Sequence, residues 1–439
     1  MNIRDGGMTN YGIFFISWLM ISFSAMSYEI GKKAIALNES PDFSVDQMKP
    51  LGLEWEKNHE RLTALAIQCL SDFNHTASSL SQKPTQCDLQ LLNTKPFDIF
   101  TKSDLDDSEK IASLLPLITS VRWPDDPTRQ IYQSSSTAAK FGITIKRVCS
   151  KRIEKERDEG EGIILAADGV LCASHYGSLQ FLHAMAQQND QTYDVTKQKM
   201  IDWAKFAFDF SKKNINQSTK FCDFWESDLA KNAYPSIIDA MQVESLRKRG
   251  WCNKREVSWQ YKITHPRTWN IWTHLGSILS DWSSPRDEWD AWYLSTLFSF
   301  HCDGKVYSSI CDIVSEPEEV NNAALGSIIH MIQDSYSASH TNRGVNTTEP
   351  QVQCNVVDRF YSYLNQDADK HSLSDKWPSF SCSEESETLD PITAVAQLMW
   401  LYQNDGTAED VGRLMERVLG NSSVKHDSGP GIVYTAIQL

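Results

Sequence analysis

The run HMIQDSYSASH over residues 330–340 places His330 and Asp334 four residues apart and His340 six residues further on. On a helix, an imidazole and a carboxylate at that spacing project from one face. They can share one metal ion there, or the carboxylate can bridge two. His340 falls about 240° further round the same helix, which suits a different ion or a bend in the chain. The helix is otherwise built from residues such as Ala324, Leu325, Ile328, Ile329 and Met331, so the three polar groups would be buried. Burying an unpaired carboxylate costs several kcal/mol, which metal coordination would offset.

Three other places carry ligand chemistry. His371 is followed four residues on by Asp375, repeating the His–carboxylate pair. Asp125 and Asp126 stand in a proline-bounded turn after Trp123, in RWPDDP (122–127), and His59 and Glu60 open an amphipathic stretch. Taken singly, each reads as readily as a surface cap, a turn acid or a core histidine. HExxH is absent, because Thr63 occupies the position of its second histidine, and neither GxSxG nor a Walker loop occurs. What remains is a His- and Asp-rich hydrolytic metal site with no protein nucleophile.

The elements that must position these groups are helical. Glu60–Leu70 puts Leu62, Leu65, Ala66 and Cys69 on one stripe at three-to-four spacing. Thr196–Ser211 repeats the pattern with Met200, Trp203, Ala204 and Ala207, and Asn321–Ser337 is apolar on most sides and therefore central. Pro391–Tyr402 and Ala408–Leu419 are two further helices. Phe141–Val148 is the best strand candidate, and loops gather at 83–106, 124–135, 342–353 and 372–390. The expected class is all-α, without internal repeats or low-complexity tracts.

Composition is consistent with a globular chain: 439 residues, 41% hydrophobic and 23% charged, with length enough for one elaborated domain carrying insertions. A net charge of −15 repels polyanions, so no stable nucleic acid complex is expected. Residues 11–27 (YGIFFISWLMISFSAMS) form a short apolar run ending in small residues. It reads as a signal peptide over 1–27 or, alternatively, as an uncleaved anchor helix. Export to an extracellular, oxidising space would let the 10 cysteines pair. Neighbours in sequence suggest Cys69–Cys87, Cys149–Cys172, Cys222–Cys252, Cys302–Cys311 and Cys354–Cys382. No CxxC occurs, which excludes a thiolate zinc ribbon.

The order of these motifs resembles the zinc-dependent phospholipases C, in particular the secreted bacterial phosphatidylcholine-preferring type. Their all-helical fold is shared with zinc-dependent single-strand nucleases. A central H-x3-D-x5-H is matched by His330, Asp334 and His340, and a following H-x3-[ED] by His371 and Asp375. An early histidine is matched by His59 and a turn aspartate near a Trp by Asp125. One more histidine precedes a long helix. His183 is preferred for it by its distance to that helix, with His175 as the alternative.

The resemblance covers 55–375, with long insertions, and implies a phospholipase C-like domain over 55–439 after an N-terminal or pro-segment at 28–54. It implies two or three Zn²⁺ ions: one on His59 and Asp334, a second on Asp125, His183, His330 and Asp334, and a third on His340, His371 and Asp375. Asp334 would bridge the first two, and Asp125 would orient or deprotonate the attacking water. Trp55 would join the third ion's ligands only if processing made it N-terminal. The implied reaction is hydrolysis of phosphatidylcholine, with other glycerophospholipids as further candidates, to diacylglycerol and a phosphorylated head group at a membrane surface. Seven of the 14 tryptophans crowd between Trp251 and Trp292, which suits either an interfacial surface or an aromatic core. A single-strand nuclease and a non-enzymatic secreted adhesin are the competing expectations.

Overall fold

The computed structural model describes residues 59–76, 83–88, 116–127, 149, 168–248, 252, 293–302, 311–313, 317–343, 351–367, 370–371, 379–382 and 388–435. Within them the longer helices are α1 (His59–Thr76), α2 (Asp168–Tyr176), α3 (Tyr193–Ser211), α4 (Pro317–Asp334), α5 (Pro391–Gln403) and α6 (Ala408–Leu419). Short helical turns lie between α3 and α4. The chain is mainly α, as its apolar spacing indicates. The only sheets among the described residues are two-stranded: Phe300–Cys302 with Cys311–Ile313, Thr341–Asn342 with Arg359–Phe360, and, in parallel, Gln351–Gln353 with Ser379–Ser381. Two of these ladders fall partly in stretches that read as loops, because strands of two or three residues are too short to show alternation. The segments 1–27, 28–54 and Phe141–Val148 lie outside the described residues, as do Trp55, Asp375 and the tryptophans from Trp251 to Trp292.

Local chemistry explains the boundaries of the last two helices. Asp390 caps α5 by accepting a hydrogen bond from Thr393 N at 2.9 Å, with Pro391 in the first turn, where its missing N–H costs nothing. Thr407 and Asp410 form a reciprocal capping box at the start of α6. That helix buries Val411, Leu414, Met415 and Val418 and leaves Arg413 and Glu416 in water.

Helix α4 is the axis of the molecule. From Asn321 to Asp334 almost every side chain is buried, and α4 packs against α3, α5 and α1. Trp203 of α3 donates its indole N–H to Ser327 Oγ at 2.9 Å. Its ring also stacks at 6.0 Å on Trp123, which in turn lies 4.8 Å from Phe298. The aromatic anchor holds the 121–125 turn against the core. Gly326 permits the closest approach: a Cβ there would sit 2.4 Å from the backbone oxygen of Ser120. Gly326, His330 and Asp334 follow one another at four-residue intervals, so this contact sets how closely the aspartate turn faces the ligand face of α4.

Four disulfides, Cys69–Cys87, Cys149–Cys172, Cys222–Cys252 and Cys354–Cys382, match the sequential pairing. The backbone register sets Cys302 opposite Cys311. Such bridges fit an oxidising compartment. No helix among the described residues is long and apolar enough to cross a membrane.

Replacing Gly326 by Ala should push the 116–125 segment away from α4. We expect a loss of about 1–3 kcal/mol in urea unfolding, as for other overpacked core positions, together with weakened metal binding. Unchanged stability would show that the close approach is not a constraint.

Candidate metal centre

Asp334, the last residue of α4, lies at the middle of the site. Its Oδ2 is 3.0 Å from His183 Nδ1, 3.0 Å from His330 Nε2 and 3.5 Å from His340 Nδ1, while Oδ1 lies 3.3 Å from His59 Nε2. The two oxygens therefore face different sets of imidazoles. His330 comes from the same face of α4, and His59 opens α1. His183 closes the 3-10 turn Gln180–His183. His340 reaches the cluster by a bend rather than by continuing the helix, since α4 stops at Asp334 and a tight turn follows, with Ser337 N donating to Asp334 O and His340 N to Ser337 O.

Asp125 enters from the turn after Trp123, with Oδ1 3.8 Å from His183 Nδ1 and 4.0 Å from His175 Nε2. The turn is tied to α1 by a buried ion pair in which Arg122 Nε donates to Glu60 Oε1 at 2.6 Å. At the far side, His340 Nε2 and His371 Nε2 face each other at 3.2 Å. All eight of these His and Asp side chains are at most 3% exposed. Thus the structure brings together His59, Asp125, His183, His330, Asp334, His340 and His371, and it places His175 beside His183 rather than choosing between them. Asp375 cannot be placed.

Five of the six histidines share one arrangement: Nδ1 is turned to an oxygen outside the cluster. His59 Nδ1 meets Gln333 Oε1 at 2.6 Å, His175 meets Leu171 O at 3.0 Å, and His330 meets Val121 O at 2.8 Å. His340 meets His183 O at 2.6 Å, and His371 meets Gln366 Oε1 at 2.6 Å. Because a carbonyl oxygen only accepts, Nδ1 carries the proton and Nε2 presents a lone pair to the cluster. Metal-ligating histidines are held in this way by their outer partners. The opposed Nε2 atoms of His340 and His371 need a cation or a proton between them. His59–Asp125–His330, Asp125–His175–His183 and His183–His330–Asp334 each bring three donor atoms within 4.8 Å of one another. The donor set, neutral nitrogen with carboxylate oxygen, suits Zn²⁺ and its neighbours in the first transition row.

Electrostatics favour the same ligand form. Burial, reinforced by the neighbouring His183, pushes His175 down to about 3, and burial pushes His330 to about 3 in spite of Asp334 beside it. Burial opposes charge on Asp334, yet the surrounding His330, His340 and His59 outweigh it and hold the carboxyl well below its ordinary value. Neutral imidazoles around an ionised carboxylate are the state a metal requires.

Sequence reasoning missed the supporting residues. Gln333 orients His59 and is itself held by Thr63, whose Oγ1 receives the Gln333 amide at 3.0 Å and donates to His59 O at 2.9 Å. Gln366 orients His371, and the Tyr363 ring packs 4.8 Å from it. Gln333 lies within the central motif and four residues before Ser337, yet an uncharged amide carries no ligand signal. Comparison of the chain with protein-family models, with curated proteins and with solved structures finds no match.

The metal-free protein should lose stability in acid. His175 and His330 bind protons below 6.5 when unfolded but only near 3 when folded. Their contribution is therefore complete above 6.5 and declines as pH falls towards 3, by roughly 1 kcal/mol per pH unit for each group. Urea unfolding in chelator between pH 7.5 and 5 should show a falling midpoint; a flat profile would mean that these rings are protonated in the folded chain.

Proposed function

We propose that this chain is a secreted zinc-dependent phospholipase C acting on phosphatidylcholine, with other glycerophospholipids as further candidate substrates. The observation that carries the metal part of the reading is the shared Nδ1 anchoring of five buried histidines around Asp334 and Asp125. The substrate part rests on the order of the motifs from His59 to Asp375, and export rests on the disulfides and the apolar N-terminal run.

His59 and Asp334 would hold one ion, Asp125, His183, His330 and Asp334 a second, and His340 and His371 a third together with Asp375. When bound, zinc supplies Lewis acidity, making water nucleophilic at neutral pH and screening the charge of a phosphodiester. Asp334 would supply the negative charge that offsets the repulsion between neighbouring cations. Asp125 stands at the edge of the imidazole cluster, where its carboxylate orients the attacking water or accepts its proton. Glu60 and Arg122 fix the turn that carries it. The reaction would release diacylglycerol and the phosphorylated head group.

Purified protein should hydrolyse phosphatidylcholine vesicles, lose that activity with a strong chelator and regain it with zinc. Cleavage of single-stranded DNA without lipid hydrolysis would move the assignment to the nucleases, against which the net charge of −15 argues. No zinc and no hydrolysis would leave a structural or adhesive protein. Asp334→Asn keeps the shape of the side chain but not its charge. It should lower zinc content by more than one ion per chain and abolish hydrolysis, whereas His371→Ala should lose about one ion. Equal losses of one ion each would show that Asp334 does not bridge.

A further inference from the structure

The motif order admits His175 only as the alternative to His183, not alongside it. It sits in the last turn of α2, a helix joined to Cys149 through Cys172. The chain then turns, with Gly177 N and Leu179 N both hydrogen-bonded to Ala173 O, and enters the 3-10 turn that ends at His183. Ala184 closes that turn in the left-handed region at φ 50°. This helix–turn–helix clamp brings the His175 and His183 rings to a 5.1 Å centroid separation, both facing Asp125.

The orientation of His175 is set from behind. Its Nδ1 lies 3.0 Å from Leu171 O and 3.0 Å from Ser174 Oγ, and the Ser174 hydroxyl already donates to Leu171 O. The His175 ring proton is thus on Nδ1, and Nε2 turns a lone pair towards the carboxylate of Asp125. Lone pair against carboxylate is repulsive unless something positive stands between them. The separations fit such an occupant: 4.0 Å from His175 Nε2 and 3.8 Å from His183 Nδ1 to the same Asp125 oxygen are too long for hydrogen bonds. Two zinc–ligand bonds of about 2.0–2.2 Å at a tetrahedral angle span roughly 3.3–3.6 Å, so an ion would draw these donors inward by a few tenths of an ångström.

We propose that His175 is a metal ligand, completing with His183 and Asp125 a three-donor position for a divalent cation of the zinc type. The inference rests on the metal-centre reading above and deepens it. Adding His175 to the four donors already named for the second ion would exceed tetrahedral coordination, so the donors divide. Asp125, His175 and His183 hold one ion and His59 and His330 its neighbour, with Asp334 between the two, Oδ2 3.0 Å from His183 Nδ1 and Oδ1 3.3 Å from His59 Nε2.

The test is zinc content and affinity of the full chain, unaltered and as His175→Ala and His175→Gln, after removal of loose metal by gel filtration. Both variants should lose about one ion per chain, or bind it at least tenfold more weakly, while retaining the others. Full occupancy with unchanged affinity in either folded variant would assign His175 to structure, or to a water-filled contact, and overturn the inference while leaving the metal centre intact. An unaltered protein that binds no zinc would overturn both. Should neither variant fold, ¹⁵N NMR of the unaltered chain labelled at histidine decides. Zinc addition should move the ring resonances of six histidines; movement of five, with His175 unchanged, would overturn the proposal.

Discussion

A single buried charge organises this molecule. Asp334 ends the central helix at full burial, and no charged Lys or Arg side chain is paired with it among the described residues. Left alone, a carboxylate in such surroundings would be driven to its neutral form. Four imidazoles converge on it instead, His330 from α4 itself, His340 from the turn that follows, and His59 and His183 from other elements that must arrive within about 3.5 Å. The contacts that make this possible lie well away from the chemistry. Gly326 lets the aspartate turn approach α4, Trp123 and Trp203 pin that turn to the aromatic core, and Glu60–Arg122 locks it to the start of α1. Because α4 packs on α1, α3 and α5, a shift of any one of them is felt at the cluster.

The histidines are held as firmly as they are placed. A neutral imidazole can present either nitrogen, and an unanchored ring would choose by chance. Here Leu171, Val121 and His183 supply backbone carbonyls, and Gln333 and Gln366 supply amide oxygens, so the tautomer is fixed before any ion arrives. Preorganisation of this kind removes the cost of turning several rings at once and leaves metal affinity to the donors themselves.

Much of this was legible in the sequence because its signals are periodic. The apolar spacing located α1, α3, α4, α5 and α6, and the four-residue interval between His330 and Asp334 already placed both on one face. The cysteine order indicated the four described bridges. Other features carry no period. The two-residue ladder from Thr341 to Asn342 falls beside a stretch rich in loop formers and pairs with residues distant in sequence. Gln333, Thr63 and Gln366 act through hydrogen bonds made across the fold, and an amide or hydroxyl is common enough that spacing cannot single it out. The His175–His183 ambiguity is of the same origin. Their relation to Asp125 depends on a turn that reverses the chain between them, and linear distance cannot report it.

Proton-free nitrogens and carboxylate oxygens converge around Asp334 in the arrangement that a metal ion requires. Thermal unfolding of metal-free protein against increasing free zinc addresses this directly, because an ion that binds only the folded chain stabilises it by mass action. The structure predicts a melting temperature that climbs with zinc concentration, together with loss of that increment in Asp334→Asn. A melting temperature indifferent to zinc in the unaltered protein would contradict it.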